Sequence, residues 1–151
     1  MNFNDLVYEL SQILGEELKA DLNQICPLVI EENLHVQLEM DISGESVLMG
    51  CFICELPPGK FRENILKDSL KAQFDSKLEK SVLGYCEQIN QLALFQNVSN
   101  YDLNGEALYK ELCSFVDRVK DWKSAIESGK TSPDGAFSEP TQKQSRPLFG
   151  I

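Results

Sequence analysis

The chain has 151 residues, is 42% hydrophobic and carries a formal net charge of −10. That is one domain's worth of sequence with enough apolar content to bury a real core, which excludes a wholly disordered protein. An acidic surface without a lysine–arginine cluster repels phosphate backbones and anionic lipid, so neither nucleic-acid binding nor membrane association is expected.

No run approaches the ~20 apolar residues of a membrane span, so membrane insertion is not expected. The opening MNFNDLVYEL lacks the basic start and apolar core of a signal peptide. A soluble cytoplasmic protein is therefore expected. The five cysteines, Cys26, Cys51, Cys54, Cys86 and Cys113, are odd in number and mostly lie in apolar runs. In a reducing compartment they read as small buried hydrophobes rather than disulfides.

Phe3, Leu6, Val7, Leu10, Ile13, Leu14 and Leu18 recur at the spacing of an amphipathic helix, predicted over 3–18 with Asn2 or Asn4 as its cap. Three strand-like runs follow. ICPLVIEE (25–32) is apolar and β-branched. LHVQLEMDI (34–42) alternates, with Leu34, Val36, Leu38, Met40 and Ile42 on one face. SVLMGCFICEL (46–56) is almost continuously apolar and is predicted to be covered on both faces. Together they read as a meander closed by Pro57-Pro58-Gly59.

A second helix is predicted over 60–78, with Phe61, Ile65, Leu66, Leu70, Phe74 and Leu78 as its stripe. In SVLGYCEQINQLALFQNV (81–98) two alternating runs flank a polar link, the pattern of an antiparallel hairpin. Asn90 is the turn residue expected to accept positive φ. A long third helix runs from an Asn104 cap to about Glu127, striped by Leu108, Leu112, Phe115, Val116, Val119, Trp122 and Ile126. Residues 129–151 are rich in Pro, Gly, Ser, Thr and Gln and read as a flexible tail, leaving 1–128 as the folded unit. The tail carries a net +1, so the folded part holds about −11. The order predicts an α+β domain, a twisted antiparallel sheet with helices packed against it (α-β-β-β-α-β-β-α).

Catalytic signals are weak. Cys51-Phe-Ile-Cys54 has redox spacing but sits in a strand, without the helix N-terminus that lowers a thiol's pKa or the second pair that a zinc knuckle requires. His35 points with Gln37 and Glu39 to the polar face of its strand, and nothing supplies an oxyanion hole. Glu31-Glu32 and the Glu39/Asp41 pair lack the context of a glycosidase or a calcium loop. No GxGxxG or Walker-type loop occurs. No enzyme activity, cofactor or metal is expected. The residues describe a binding module.

The order of elements, the LGYCEQINQLALFQNV hairpin and LNGEALYKELCSFVDRVKDWKSAIESG resemble the class I chaperones of bacterial type III secretion systems, the family that includes the chaperone of the translocated intimin receptor. The resemblance covers about residues 1–128 and implies a cytosolic homodimer. Such a dimer binds the extended N-terminal segments of secreted effector proteins without ATP, keeping them soluble and competent for secretion. Backbone pairing at sheet edges and apolar patches for side chains would hold such a segment. The resemblance places Phe61, Ile65, Leu66, Leu70, Leu92 and Leu94 at the dimer interface. It places Leu6, Leu10, Ile13, Leu14, Val29, Val36 and Leu38 in an effector-binding groove. The secretion-system ATPase is a further candidate partner. The alternative is a small acidic adaptor domain unrelated to secretion.

Overall fold

A computed structural model describes residues 1–31, 33–75 and 78–133. Eight elements follow one another in the order expected. They are α1 (Phe3–Leu14), β1 (Ile25–Ile30), β2 (Leu34–Met40), β3 (Ser46–Glu55), α2 (Lys60–Phe74), β4 (Ser81–Cys86), β5 (Gln91–Ser99) and α3 (Gly105–Glu127). The strands form one antiparallel sheet in the order β1-β2-β3-β5-β4.

Alternation divides the sheet into two faces. One carries Cys26, Leu28, Val36, Leu38, Val47, Met49, Cys51, Leu92 and Leu94, all buried in the core that α1 and α3 complete. Leu6 and Leu10 of α1 meet Leu108, Leu112, Phe115 and Val119 of α3 in that cluster. The second helix lies against β4 instead. It directs Ile65, Asp68, Ser69 and Ala72 inward, and its Gln73 Oε1 accepts the Leu83 N–H at 3.2 Å, closing that point of the sheet edge.

Local chemistry sets the boundaries. Asn2 and Asn104 cap α1 and α3 by accepting the Asp5 and Ala107 amides at 2.9 and 2.8 Å. The first helix stops at Leu14 rather than Leu18, because Gly15 turns left-handed at φ 72° and donates its N–H back to the Ser11 carbonyl. The second strand ends before Ile42, which the alternation placed on the core face. Asp41 accepts from Ser43 to close a turn, and Ile42 is left fully exposed. Asn90 adopts φ 54° in the β4–β5 turn. Its amide donates to the Leu56 carbonyl at 2.7 Å, and its side-chain oxygen accepts from the Tyr85 hydroxyl at 2.6 Å.

The chain does not leave the domain at residue 128. Ser132 is wholly buried, and the Thr131 hydroxyl donates to the buried Asp68 carboxylate of α2. Residues 134–151, including the PLFGI stretch of the predicted tail, lie outside the described residues, as do Glu32, Ser76 and Lys77.

Where α1 crosses α3 the backbones approach so closely that a Cβ at Gly105 would stand 2.3 Å from Glu9 Cβ. There the Gly105 N–H donates to Glu9 Oε1 at 2.7 Å, a carboxylate at a helix N-terminus. Gly105→Ala is expected to cost about 1–3 kcal/mol as an overpacked contact, lowering the thermal unfolding midpoint by roughly 4–12 °C. A variant that melts with the native protein would contradict that contact.

Candidate functional site

The second face of the sheet has no covering element among the described residues. The sequence predicted that β3 would be covered on both faces. In the structure Val47, Met49, Cys51 and Ile53 are buried, whereas Leu48 and Gly50 are half-buried and Phe52 is 52% exposed. The helices are committed to the opposite face and to the β4 edge, so none remains for this one.

The strand register shows how the open face is built. Pro27, Gln37, Gly50, Phe95 and Val82 form one row across all five strands. Beside it run the Val29–His35 pair and the Phe52–Ala93–Gly84 row. Phe95 lies between two glycines on the flanking strands, its ring edges 3.1 Å from where a Cβ on Gly50 would sit and 3.5 Å from one on Gly84. The missing side chains let the ring lie down over its neighbours' backbones, which flattens the floor.

A groove of about 710 Å³ crosses this floor, with Pro27, Val29, Leu48, Phe52 and Phe95 as its apolar surface. Glu16, Glu17 and Glu39 stand at its rim. Nothing in it resembles a set of reacting groups. It is an apolar, acid-rimmed surface suited to an extended peptide.

The residues predicted for an effector groove divide between surface and core. Val29 lines the open groove and Ile13 is exposed on α1, with Leu14 half-buried beside it. Leu6, Leu10, Val36 and Leu38 fill the interior and present almost no side-chain surface. The helical and strand periodicities that singled them out mark the core side of each element. Sequence reasoning passed over Pro27, Leu48, Phe52 and Phe95. The available signal was a glycine inside each of two strands, Gly50 and Gly84, for which no turn or bulge accounts.

The predicted dimer residues divide similarly. Leu70 is exposed on α2, Phe61 and Leu66 are half-buried, and Ile65, Leu92 and Leu94 are in the core. Phe74 continues the exposed line at 88%. Leu66, Leu70 and Phe74 stand at i, i+4 and i+8, an apolar stripe that begins half-buried against the core at Leu66 and runs out to the exposed Leu70 and Phe74.

The edges offer less than the face. The Ile25 amide and carbonyl turn outward to Asp21, at 3.0 and 2.9 Å. By alternation Pro27 and Val29 face outward next, and Pro27 has no N–H to donate. The edge of β1 is thus blunted, and that of β4 is held by α2.

Cys51 and His35 do not form a nucleophile pair. The thiol faces the core, where its Sγ–H meets the Phe52 carbonyl at 3.4 Å, while His35 is on the opposite face. Burial pushes the Cys51 thiol up to about 11, against a smaller opposing effect of the Lys123 charge. The Cys54 thiol is raised too, chiefly by burial and further by Glu127.

A family model described as the Tir chaperone protein (CesT) family matches residues 5–123. The chain belongs to that family. Solved structures agree with the fold of this chaperone family. The ExsC–ExsE complex is 18% identical with a TM-score of 0.70, over 82% of this chain and 96% of that one. The HopA1–SchA chaperone–effector complex is 19% identical with a TM-score of 0.64, over 80% and 91%. The Yersinia pestis type III secretion chaperone SycH, in complex with a stable fragment of YscM2, is 19% identical with a TM-score of 0.63, over 78% and 97%. Identity this low speaks for a shared fold alone. No curated protein sequence matches.

The thiols of this family member give a pH test. Stability falls as pH rises from about 9 to about 11, the span in which the unfolded chain ionises Cys51 and the folded chain does not. Iodoacetamide at pH 8 is expected to alkylate the exposed Cys113 and to spare Cys51. Equal labelling of the two in the native protein would contradict the burial.

Proposed function

We propose that this chain is a type III secretion chaperone that works as a homodimer in the bacterial cytoplasm. It binds the extended N-terminal segments of secreted effectors and keeps them soluble and ready for secretion. The observation that carries the reading is the apolar sheet face, left open in a member of a chaperone family. One protein of similar fold, SchA with HopA1, is a chaperone–effector complex, which supports a protein segment as the ligand.

The occupant is an extended chain lying across the face, its side chains set on Val29, Leu48, Phe52 and Phe95. Since Pro27 offers no N–H and the outward Ile25 groups and Leu83 N–H already have partners, most of the affinity comes from apolar burial, at about 25 cal/mol per Å². A disordered segment loses ordering entropy on binding, and a long contact offsets it. Release then needs no bond-breaking step. The chain supplies binding energy alone and acts without ATP or catalysis. The acidic rim favours basic segments and speeds encounter.

The α2 stripe of Leu66, Leu70 and Phe74 is assigned to the two-fold interface, with Phe61 at its end. Light scattering is expected to give twice the 17.0 kDa of one chain. The double variant Leu70→Asp/Phe74→Asp places two charges in that contact and is expected to run as a folded monomer. A native protein that is monomeric at micromolar concentration would overturn the assignment.

The function itself is tested by secretion. Deleting the gene in its own bacterium is expected to remove a subset of type III substrates from the culture medium. The native chain restores them, and Phe52→Asp/Phe95→Asp does not, although both side chains are exposed and the variant folds. An unchanged secretion profile on deletion would overturn the reading and favour an adaptor unrelated to secretion.

A further inference from the structure

Residues 142–151, QKQSRPLFGI, join two basic side chains, Lys143 and Arg146, to an apolar stretch of Pro147, Leu148, Phe149 and Ile151. The open groove has the complementary character, an apolar floor of Val29, Phe52 and Phe95 under a rim of Glu16, Glu17 and Glu39. Segment and groove match in charge and in apolar content. We propose that residues 142–151 occupy the open sheet face of their own chain when no cargo is bound, so that cargo must displace them. This rests on the groove being the cargo site.

The geometry before the segment supports the assignment. Past α3, Gly129 turns left-handed at φ 90° and the Lys130 N–H returns to the Ala125 carbonyl at 2.8 Å. Thr131 and Ser132 are then buried, with the Thr131 hydroxyl on the Asp68 carboxylate. The chain is thus fixed to α2, beside the β4 end of the sheet, as far as Pro133. From Pro133 to Phe149 is sixteen residues, a reach of up to about 50 Å at ~3.3 Å each. A domain of this size has a radius of gyration near 14 Å. The segment reaches the groove without straining its anchor.

Tethering also sets the strength required. A tether of this length gives an effective concentration of about 1 mM. A segment with an intrinsic Kd near 0.1 mM would then fill the groove about nine-tenths of the time. Cargo affinity falls in proportion to the vacant fraction, roughly tenfold. A true cargo segment, longer and more apolar, still wins. Weakly matching chains are kept off, and the apolar face is shielded from aggregation.

Two measurements on the full-length chain decide it. The first replaces Phe149 with the photo-crosslinker p-benzoylphenylalanine. Irradiation is expected to give a product of single-chain size, joined to the β1, β3 or β5 peptides that carry Val29, Phe52 and Phe95. Links to Leu70 or Phe74 of α2, products of double size, or no product would overturn the proposal. The second titrates a fluorescein-labelled peptide of residues 142–151 into the native chain and into full-length Leu148→Asp/Phe149→Asp. The variant, freed of its own segment, is expected to bind the peptide about five- to tenfold more tightly, and Phe95→Asp is expected to abolish binding. Equal affinity for native chain and variant, or binding by neither, would overturn it. Neither outcome touches the secretion assay, on which the cargo reading stands or falls separately.

Discussion

Among the described residues, five strands and three helices leave one sheet face without a covering element, and the rest of the fold is arranged around that constraint. The helices α1 and α3 stack on each other over the core face, while α2 is drawn aside to the edge of β4. A sheet half-covered in this way presents a contiguous apolar surface, which a folded domain retains when something else is to cover it. The flat seat of Phe95 between Gly50 and Gly84 shows how the surface is shaped. A side chain at Gly50 would press on the ring, whereas a methyl at Gly84 would only touch it.

Polar networks hold the frame around that face. The Asn90 side-chain amide ties the β4–β5 turn to the end of β3 by donating to the Leu56 carbonyl, and its Oδ1 accepts from Arg62 of α2 at 3.3 Å. Across the sheet Arg118 of α3 donates to Ser81 Oγ and Gln96 Oε1, both at 3.1 Å, while Gln96 donates to Glu111 at 2.8 Å. These bonds join helix and strands where the core is polar. Satisfied buried networks favour one arrangement of the elements over others. A rigid face suits a ligand that is itself unstructured, because only one partner then loses conformational freedom.

Much of the fold was legible in the sequence. Periodicity located every helix and strand, Asn104 announced the start of α3, and Asn90 was recognised as the residue for positive φ. Ends were less legible. Gly15 stopped α1 a turn early, and the Asp41–Ser43 turn removed Ile42 from its strand, because a capping bond outweighs the continuation of a pattern. The site was partly legible. Alternation distinguishes the two faces of a strand but does not show which has a helix above it. The core side of α1, β2 and β5 therefore carried Leu6, Val36 and Leu94, whereas Phe52 and Phe95 read as ordinary strand residues. In α2 the apolar stripe was visible, but Asp68 and Ser69 point inward and Phe74 outward, an inversion that only the docked position of the helix reveals.

The proposed cargo site is the open sheet face. Hydroxyl-radical footprinting of the chain alone and in complex with a secreted effector's N-terminal segment tests it most directly. Phe52 and Phe95 are expected to lose most of their oxidation in the complex, while Tyr101, 88% exposed on the β5–α3 loop and outside the groove lining, keeps its rate. Unchanged oxidation of Phe52 and Phe95, with protection confined to α1 or to the α2 stripe, would contradict the account.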